Sequence, residues 1–162
     1  MKNDFPKRKP NRLREYDYST PGAYFITICV KGRKQLLGKI VGDDAHIVPK
    51  NYLSNYGLIC DKYINSINVK YENVTVDKYV IMPNHIHLII FLNGTMWASS
   101  PTLSIESIIR SFKTMVTKQI GSSIWQRSYH DHIIRDENDY QKIWEYIDNN
   151  VTQWEMDCFY EE

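Results

Sequence analysis

The residues from Met82 to Leu92, MPNHIHLIIFL, combine a turn with a strand, and the rest of the chain can be arranged around them. Met82-Pro83-Asn84 predicts a tight turn, because proline fixes its own backbone and restricts the residue before it. His85–Leu92 is apolar apart from two histidines, which is typical of a buried strand. The preceding segment Val74–Tyr79 is also strand-like, so the two segments are predicted to form a β-hairpin.

Upstream of this hairpin the sequence predicts two strands and a helix. Ala23–Val30 (AYFITICV) is rich in β-branched and aromatic residues, and its near-continuous apolar run predicts a central strand. Gln35–Val41 is a weaker strand candidate and the expected hairpin partner of the first. From Lys50 to Ile67, apolar residues recur at three- and four-residue steps, as one buried face of a helix requires.

Downstream, a loop over Asn93–Ser100 leads to two further helices with a strand between them. Ser104 is the predicted cap of the first helix and Gly121 its end. Tyr129–Arg135 is the predicted last strand, and Asp136 opens a terminal helix over Glu137–Asn150. The expected core side of that helix consists of Ile143, Trp144, Ile147 and Val151.

This order of elements predicts an α+β fold. A ferredoxin-like antiparallel sheet with the helices packed on one face fits the series best. The 162 residues suit one domain, so we expect a basic N-terminal arm over 1–15, a single domain over 16–157 and an acidic C-terminal tail over 158–162.

Bulk composition excludes several classes of protein. No apolar run is long enough to span a bilayer and the first residues lack the apolar core of a signal peptide, so we expect a cytoplasmic protein without a membrane partner. The three cysteines contain no CxxC spacing, which argues against a disulfide framework or a thiolate zinc site.

Basic residues cluster in two places that suit contact with nucleic acid. The N-terminal arm contains Arg12 and Arg14, and the helix after Ser104 carries a basic face. An exposed tryptophan beside an arginine would add the stacking that single strands require. A solubilising tail and a solvated helix face are the alternatives. The candidate DNA-binding residues are Arg12, Arg14, Arg110, Lys113, Lys118, Trp125 and Arg127.

Two histidine pairs have the spacing of a metal site. His85 and His87 lie two apart in a strand, so both imidazoles project from one face. His130 and His132 have the same spacing in the last strand, with Asp131 between them. Spacing alone does not choose between the pairs, and histidines that only hydrogen-bond to their neighbours remain an alternative for each.

One tyrosine of the 12 in the chain lies beside a polar residue that could share its site. Tyr146 and Asn150 are four residues apart on the terminal helix, hence on one face of it, although a plain surface pair would have the same spacing. Attack by tyrosine on a phosphodiester needs loss of the phenol proton and a cation to stabilise the leaving oxygen.

An ordered series of segments resembles the single-tyrosine transposases of the smallest insertion sequences, which carry an HUH motif. More narrowly, the chain is similar to the tyrosine transposases associated with repetitive extragenic palindromes (REPs), from about Arg12 to Asp157. The matching segments are Tyr16-Asp17-Tyr18, 21–25, 82–87, Trp125-Gln126-Arg127 and 132–135.

The resemblance implies a role for each site residue. The histidine-hydrophobic-histidine motif that binds Mg²⁺ or Mn²⁺ in this family matches His85-Ile86-His87, and the polar residue that completes the metal site matches Asn150. The family nucleophile, in a pattern Tyr-Ile-x-x-Asn-Pro, matches Tyr146. Val151 replaces the usual proline, so we expect that the helix can run on and change the angle of Asn150 to the metal.

By the same resemblance, the partner would be a single-stranded DNA hairpin. The enzyme would nick beside the hairpin, hold a 5′-phosphotyrosine on Tyr146 and release a 3′-hydroxyl, acting as a monomer or homodimer. One alternative is a hairpin-binding protein that is catalytically silent. Another is a metallohydrolase that uses both histidine pairs and Asp131 in a paired-metal site.

Overall fold

The chain is described by a computed structural model over residues 12–42, 48–94 and 103–160. Residues 1–11 of the basic arm, much of the loop predicted over Asn93–Ser100 and the last two residues of the acidic tail lie outside this range. The elements are β1 Gly22–Cys29, β2 Gly38–Val41, β3 Lys50–Leu53, α1 Asn55–Lys70, β4 Val74–Ile81, β5 His85–Leu92, α2 Ile105–Ile120, β6 His130–Ile134 and α3 Glu137–Asn149, with 3₁₀ turns Lys31–Arg33 and Trp154–Met156.

Four strands form the main sheet in the order β4-β5-β1-β6, and each neighbouring pair is antiparallel. Since β5 lies between β4 and β1, those two strands run parallel and need the crossover that α1 provides. The second crossover, between β5 and β6, contains α2. The predicted α+β class with a ferredoxin-like antiparallel sheet is therefore confirmed.

The two faces of the sheet are covered by different helices. Side chains of β1 and β5 such as Ile26, Ile86 and Leu88 share one core cluster with the buried residues of α1 and α2. α3 lies on the opposite face, where the ring of its Tyr146 is 6.1 Å from that of Phe25 in β1. The predicted placement of all helices on one face is thus wrong for α3.

The region between β1 and α1 differs from the prediction. β2 pairs with β3 in a separate two-stranded sheet, not with β1. The residues 50–53, predicted as the first turn of the helix, form β3, because Ser54 caps the helix by accepting a hydrogen bond from the Gly57 amide. Gly57 permits this packing, since a Cβ there would lie 2.1 Å from the Leu37 carbonyl oxygen.

The later helices begin as predicted, and α3 is more exposed than expected. α2 starts with a capping box at Ser104 and stops at Gly121, whose φ of 87° is in the left-handed region that glycine tolerates. In α3, Ile147 is buried, but Trp144 is 37% exposed, a correction to the predicted core side. The Lys78 ammonium lies 3.0 Å from the centroid of the Trp144 ring, so this indole packs against a side chain of β4 rather than the core. Within the described residues, no helix has the length and apolarity to cross a bilayer.

Candidate metal and nucleophile site

His85 and His87 lie side by side in the central strand β5, on the sheet face that α3 covers. Both are buried, and their ring centroids are 4.4 Å apart. The Nδ1 atom of His85 lies 2.7 Å from the Asn84 side-chain oxygen, and that of His87 lies 2.8 Å from the Thr27 hydroxyl. These contacts fix both rings, as outer partners commonly do for histidines that bind metals. The predicted common face of the two imidazoles is therefore present.

Asp157, just after the Trp154–Met156 turn, brings a carboxylate to the two imidazoles. Its Oδ2 atom accepts hydrogen bonds from the Tyr146 hydroxyl at 3.1 Å and the Asn150 side-chain nitrogen at 2.9 Å, and lies 4.0 Å from Nε2 of His85. The potential ligand atoms of His85, His87 and Asp157 all lie within 4.8 Å of one another. Sequence reasoning missed Asp157 as a functional residue, because it was only one of several acids near the end of the chain.

Two unpartnered atoms test whether the site suits a metal ion. Nε2 of His85 and Oδ1 of Asn150 are buried, and neither has a hydrogen-bond partner among the described residues. Because the Asn84 oxygen can only accept, Nδ1 of His85 carries the proton and Nε2 presents a lone pair. Buried polar atoms without partners are uncommon and often mark an ion or water site. Two nitrogens, an amide oxygen and a carboxylate therefore fit a divalent cation.

Burial keeps both imidazoles neutral. It lowers the pKa of His85 to about 4, against the opposing effect of the Asp157 carboxylate. Burial and then the neighbouring His85 hold the pKa of His87 well below its usual value. A metal-binding histidine must be unprotonated, so the pair is in the ligand form at neutral pH.

Tyr146 of α3 presents its hydroxyl to this cluster. The oxygen lies 3.2 Å from Nε2 of His87 and donates to Asp157. Burial, followed by the charge of Asp157, raises the pKa of Tyr146, so the phenol is protonated at neutral pH. Tyr146 as a whole is 37% exposed, so the residue lies at the surface of the protein although its hydroxyl contacts the cluster.

Because Val151 replaces the usual proline, we expected that α3 can run on past Asn150. The helix does not run on: it ends at Asn149, and Asn150 is its C-cap. The Asn150 side chain is buried, and its nitrogen donates to the Asp157 carboxylate that also lies beside His85. The predicted pairing of Tyr146 with Asn150 at one site is present, although Val151 replaces proline.

The residues after Asn150 also cover the histidines. The centroid of the Phe159 ring lies 4.6 Å from that of the His85 ring, and the centroid of the Trp154 ring lies 6.0 Å from it. The Asn84 side-chain nitrogen donates to the Phe159 carbonyl at 2.7 Å, which ties this segment to the turn before β5. Residues 158–160, predicted as part of an acidic tail, thus lie against the site.

The second histidine pair has a different environment. His130 and His132 are on the same face of the sheet, since they pair with Thr27 and Phe25 of β1. Both are exposed, and Nε2 of His132 lies 2.8 Å from the Asp139 carboxylate. Within the described ranges, the His85, His87 and Asp157 group is the only cluster of three such residues close enough to share a metal. The structure therefore gives the paired-metal hypothesis no support.

The basic residues predicted to bind DNA fall into exposed and packed groups. Arg14, Arg110, Lys118 and Arg127 are exposed, and Arg110 and Arg12 each form an ion pair with Glu106, at 3.1 Å and 3.2 Å. Lys113 is partly buried, a correction to its predicted outward position. Its ammonium donates to the carbonyls of Gln126 at 3.0 Å and Ser128 at 2.8 Å, and burial lowers the pKa of Lys113 to about 8.

Trp125 is not the exposed stacking residue that the sequence predicted. Only 6% of it is exposed, and its ring lies 5.7 Å from that of Phe112 in the core. The cause is an isolated β-bridge between Val30 and Trp125, which extends the sheet edge beyond β1 and turns the indole inward. Base stacking on this indole is thus excluded while the bridge is intact.

Comparisons with known proteins agree with this geometry. The model of the family described as Transposase IS200 like matches residues 20–150. An uncharacterized protein of Haemophilus influenzae is 38% identical over an alignment of 173 residues, gaps included. The alignment covers 94% of this chain and 93% of that protein. A second protein of that organism, provisionally named a REP-associated tyrosine transposase, is 28% identical over 147 residues, which cover 85% of this chain and 74% of that protein.

A solved structure has the same fold. It is a REP-associated tyrosine transposase bound to a REP hairpin, and the superposition has a TM-score of 0.63 with 24% sequence identity. The match covers 88% of this chain and 73% of that one. At this identity the likeness concerns the fold alone.

Proposed function

Since this chain belongs to the IS200-like transposase family, we propose that it is a metal-dependent enzyme that nicks and rejoins single-stranded DNA beside a hairpin through Tyr146. The observation that carries the proposal is the position of the Tyr146 hydroxyl, 3.2 Å from Nε2 of His87 and 3.1 Å from Oδ2 of Asp157. A potential nucleophile and a potential metal site are thus in direct contact.

The ligands proposed for the metal are the Nε2 atoms of His85 and His87, the Asn150 side-chain oxygen and the Asp157 carboxylate. The free lone pair of His85 and the unpartnered oxygen of Asn150 support this set. Mg²⁺ or Mn²⁺ is the ion proposed, because the amide and carboxylate oxygens of this set are ligands that these cations prefer. When bound, such an ion would offset the charge that develops on the scissile phosphate and the leaving 3′ oxygen.

The protein side chains would supply the nucleophile and guide its proton. The Tyr146 oxygen attacks phosphorus, and the bond from phosphorus to the 3′ oxygen breaks, leaving a 5′-phosphotyrosine and a free 3′-hydroxyl. Asp157 is the geometrically suited acceptor for the phenol proton, which must finally reach the 3′ oxygen. The reverse attack by a 3′-hydroxyl rejoins the strand, so no external energy source is needed.

The proposed substrate is a hairpin in single-stranded DNA. The similar fold of a protein solved with a REP hairpin supports this substrate. The exposed charges of Arg14, Lys118 and Arg127 are available for phosphate contacts.

The test is a search for the covalent intermediate. The full-length protein would be incubated with Mn²⁺ and a pool of single-stranded hairpin oligonucleotides, and adducts would be read by denaturing gel and by mass spectrometry. We expect a DNA-linked peptide containing Tyr146 that disappears with EDTA and in Tyr146→Phe. Tyr140→Phe is the matched control, because Tyr140 lies on the same helix but bonds to Asp77 instead. An adduct that survives Tyr146→Phe would overturn the proposal.

A second candidate is a hairpin-binding protein without cleavage. The raised pKa of Tyr146 and its hydrogen bond to Asp157 favour this reading, because both keep the phenol protonated. Hairpin binding without an adduct under Mg²⁺ and Mn²⁺ would favour it over the nicking enzyme.

A further inference from the structure

Helix α3, which carries Tyr146, buries little apolar surface against the sheet. Among its residues Glu137–Asn149, all of which the structure describes, only Ile147 is buried. Helices in proteins are held mainly by a buried apolar face. The position of α3 over the sheet, and with it the position of the Tyr146 hydroxyl, therefore depends strongly on polar contacts.

A β-bulge in β4 turns two neighbouring side chains toward α3. The pairing of β4 with β5 shifts register between Val76 and Lys78, so Asp77 is the extra residue. In a regular strand, neighbouring side chains point to opposite faces of the sheet. Here Asp77 accepts a hydrogen bond from the Tyr140 hydroxyl at 2.6 Å, and Lys78 donates one to Asp148. The bulge thus gives β4 two consecutive residues that bind α3.

The Lys78 ammonium contacts two side chains of α3 at once. It donates to Oδ1 of Asp148 at 2.5 Å and lies 3.0 Å from the centroid of the Trp144 ring. Trp144 and Asp148 are four residues apart, so they lie on one face of the helix. The Lys78 side chain is only 15% exposed, whereas that of Asp148 is 57% exposed. An ion pair with one exposed partner adds little to stability, so its main effect is on the geometry of α3.

Tyr146 lies on the same stretch of α3, midway between Trp144 and Asp148 in the sequence. Lys78 belongs to β4, whereas the Tyr146 hydroxyl lies 3.2 Å from Nε2 of His87 in the neighbouring strand β5. This stretch of α3 is therefore joined to two adjacent strands. Since a misplacement of about 1 Å can slow a reaction about a hundredfold, the rotation of α3 about its axis matters for a nucleophile.

We propose that Lys78 is a positioning residue, which fixes the rotation of α3 and so keeps the Tyr146 hydroxyl beside His87. It does so through its contacts with Trp144 and Asp148. This inference rests on the proposed function, because it concerns the residue that would attack DNA. Lys78 acts through α3 and takes no part in the chemistry itself.

The first experiment measures the surroundings of Tyr146 in the absence of DNA. Full-length protein would be labelled with 3-fluorotyrosine, and the fluorine NMR signal of Tyr146 is the one that Tyr146→Phe lacks. Lys78→Met keeps the aliphatic stem and removes the charge, so we expect the Tyr146 signal to shift or broaden. Lys78→Arg keeps the charge and can stack on the indole, so it should restore the wild-type signal. An unchanged Tyr146 signal in Lys78→Met overturns the inference.

The matched control is Tyr140→Phe, which also removes a bond between α3 and β4. Tyr140 lies six residues before Tyr146, and the variant keeps the ring that packs 6.0 Å from that of Phe91. The Tyr146 signal should therefore stay where it is. A shift as large as that in Lys78→Met would show that any lost contact disturbs α3, and would overturn the specific role of Lys78.

The second experiment measures the rate of adduct formation on Tyr146 in single turnovers with Mn²⁺, over a range of hairpin concentrations. Lys78→Met should slow the rate at saturating DNA about tenfold or more and change the half-saturating concentration by less than about twofold. Asp148→Asn, at an exposed position, should slow the reaction in the same direction, and Lys78→Arg should recover most of the rate.

Two other kinetic results would overturn the inference. A raised half-saturating concentration with an unchanged maximal rate would make Lys78 a phosphate contact. A lowered melting temperature with an unchanged rate would make it a stabilising residue only.

The positioning role and the nicking reaction fail separately. If the wild-type protein forms no adduct, but the Tyr146 signal shifts in Lys78→Met and recovers in Lys78→Arg, the placement of Tyr146 stands and the nicking reaction falls. If wild type and Lys78→Met form the adduct at the same rate, the enzyme stands and the positioning role falls.

Discussion

The two histidine pairs share spacing, strand structure and sheet face, yet within the described residues only one pair lies in a cluster that could hold a metal ion. His85 and His87 lie in the central strand β5, beneath α3 and the segment after Asn150. His130 and His132 lie in the edge strand β6 and are exposed. Each pair has a carboxylate near it, Asp157 for the first and Asp139 for the second.

The difference comes from what lies above each pair. Over β5 the C-terminal residues exclude water, so the imidazoles stay neutral, and the unpartnered Nε2 of His85 lies near the Asp157 carboxylate. Over β6 the Asp139 carboxylate bonds to His132 at an exposed position, where such a pair is screened and contributes little. The same histidine spacing thus gives a candidate metal site only where the tertiary structure supplies further potential ligands and removes water.

The largest expected effect is on nicking activity, which should distinguish the two histidine pairs. Replacing His85 or His87 with alanine removes a proposed ligand, so nicking of hairpin DNA should fall by at least about a hundredfold. His130→Ala and His132→Ala are the matched variants and should stay within about threefold of wild type. Quantifying the nicked strand on denaturing gels at fixed Mn²⁺ checks this. Equal losses at both pairs would revive the paired-metal hypothesis.

A smaller effect is expected for the two carboxylates. Asp157→Asn keeps the shape but weakens a ligand of the proposed metal site, so Mn²⁺ affinity should fall about tenfold or more. Asp139→Asn, next to His132, should leave the affinity unchanged. Titration calorimetry with Mn²⁺ on the DNA-free protein measures both. If Asp157→Asn binds Mn²⁺ as tightly as wild type, Asp157 serves only to hold Tyr146 and Asn150.

The smallest effect is the acid sensitivity of the metal-free fold. Since the pKa of His85 is about 4 in the folded state and 6.5 ordinarily, the unfolded chain binds more protons between these values. The free energy of unfolding should therefore fall as pH drops from 6.5 toward 4, by up to about 1.4 kcal/mol per pH unit. Urea titrations in EDTA should show a shallower fall in His85→Gln but not in His132→Gln. An unchanged slope in His85→Gln would assign the acid sensitivity to other groups.

Local sequence signals predicted most of the fold. The turn at Met82-Pro83-Asn84, the strand at His85–Leu92 and the cap at Ser104 depend on short-range chemistry, and all are present. The small sheet of β2 and β3 was not predicted, because its pairing depends on contacts outside the segment, such as the Asn51 side chain donating to the Ile81 carbonyl. The exposure of Trp144 and of Trp125 was predicted wrongly for the same reason, since tertiary neighbours decide whether an aromatic side chain is buried.

The candidate site was predicted in part. Periodicity placed His85 with His87 on one face, and Tyr146 with Asn150 on another, but only the resemblance to a family joined the two pairs. Asp157 had no signal of its own, because it follows α3 by way of a 3₁₀ turn and belongs to no periodic segment. It also lies beyond residues 20–150, where the family model matches.

Strand β5 also constrains how this protein can evolve. Its even-numbered residues Ile86, Leu88 and Ile90 belong to the core shared with α1 and α2, while His85 and His87 face the other side. Selection for a stable fold and selection for chemistry therefore act on alternate codons of one short strand. Loss of the chemistry by drift would leave the core positions under unchanged constraint. A descendant that lost this cluster would keep the same architecture and remain recognisable by its fold.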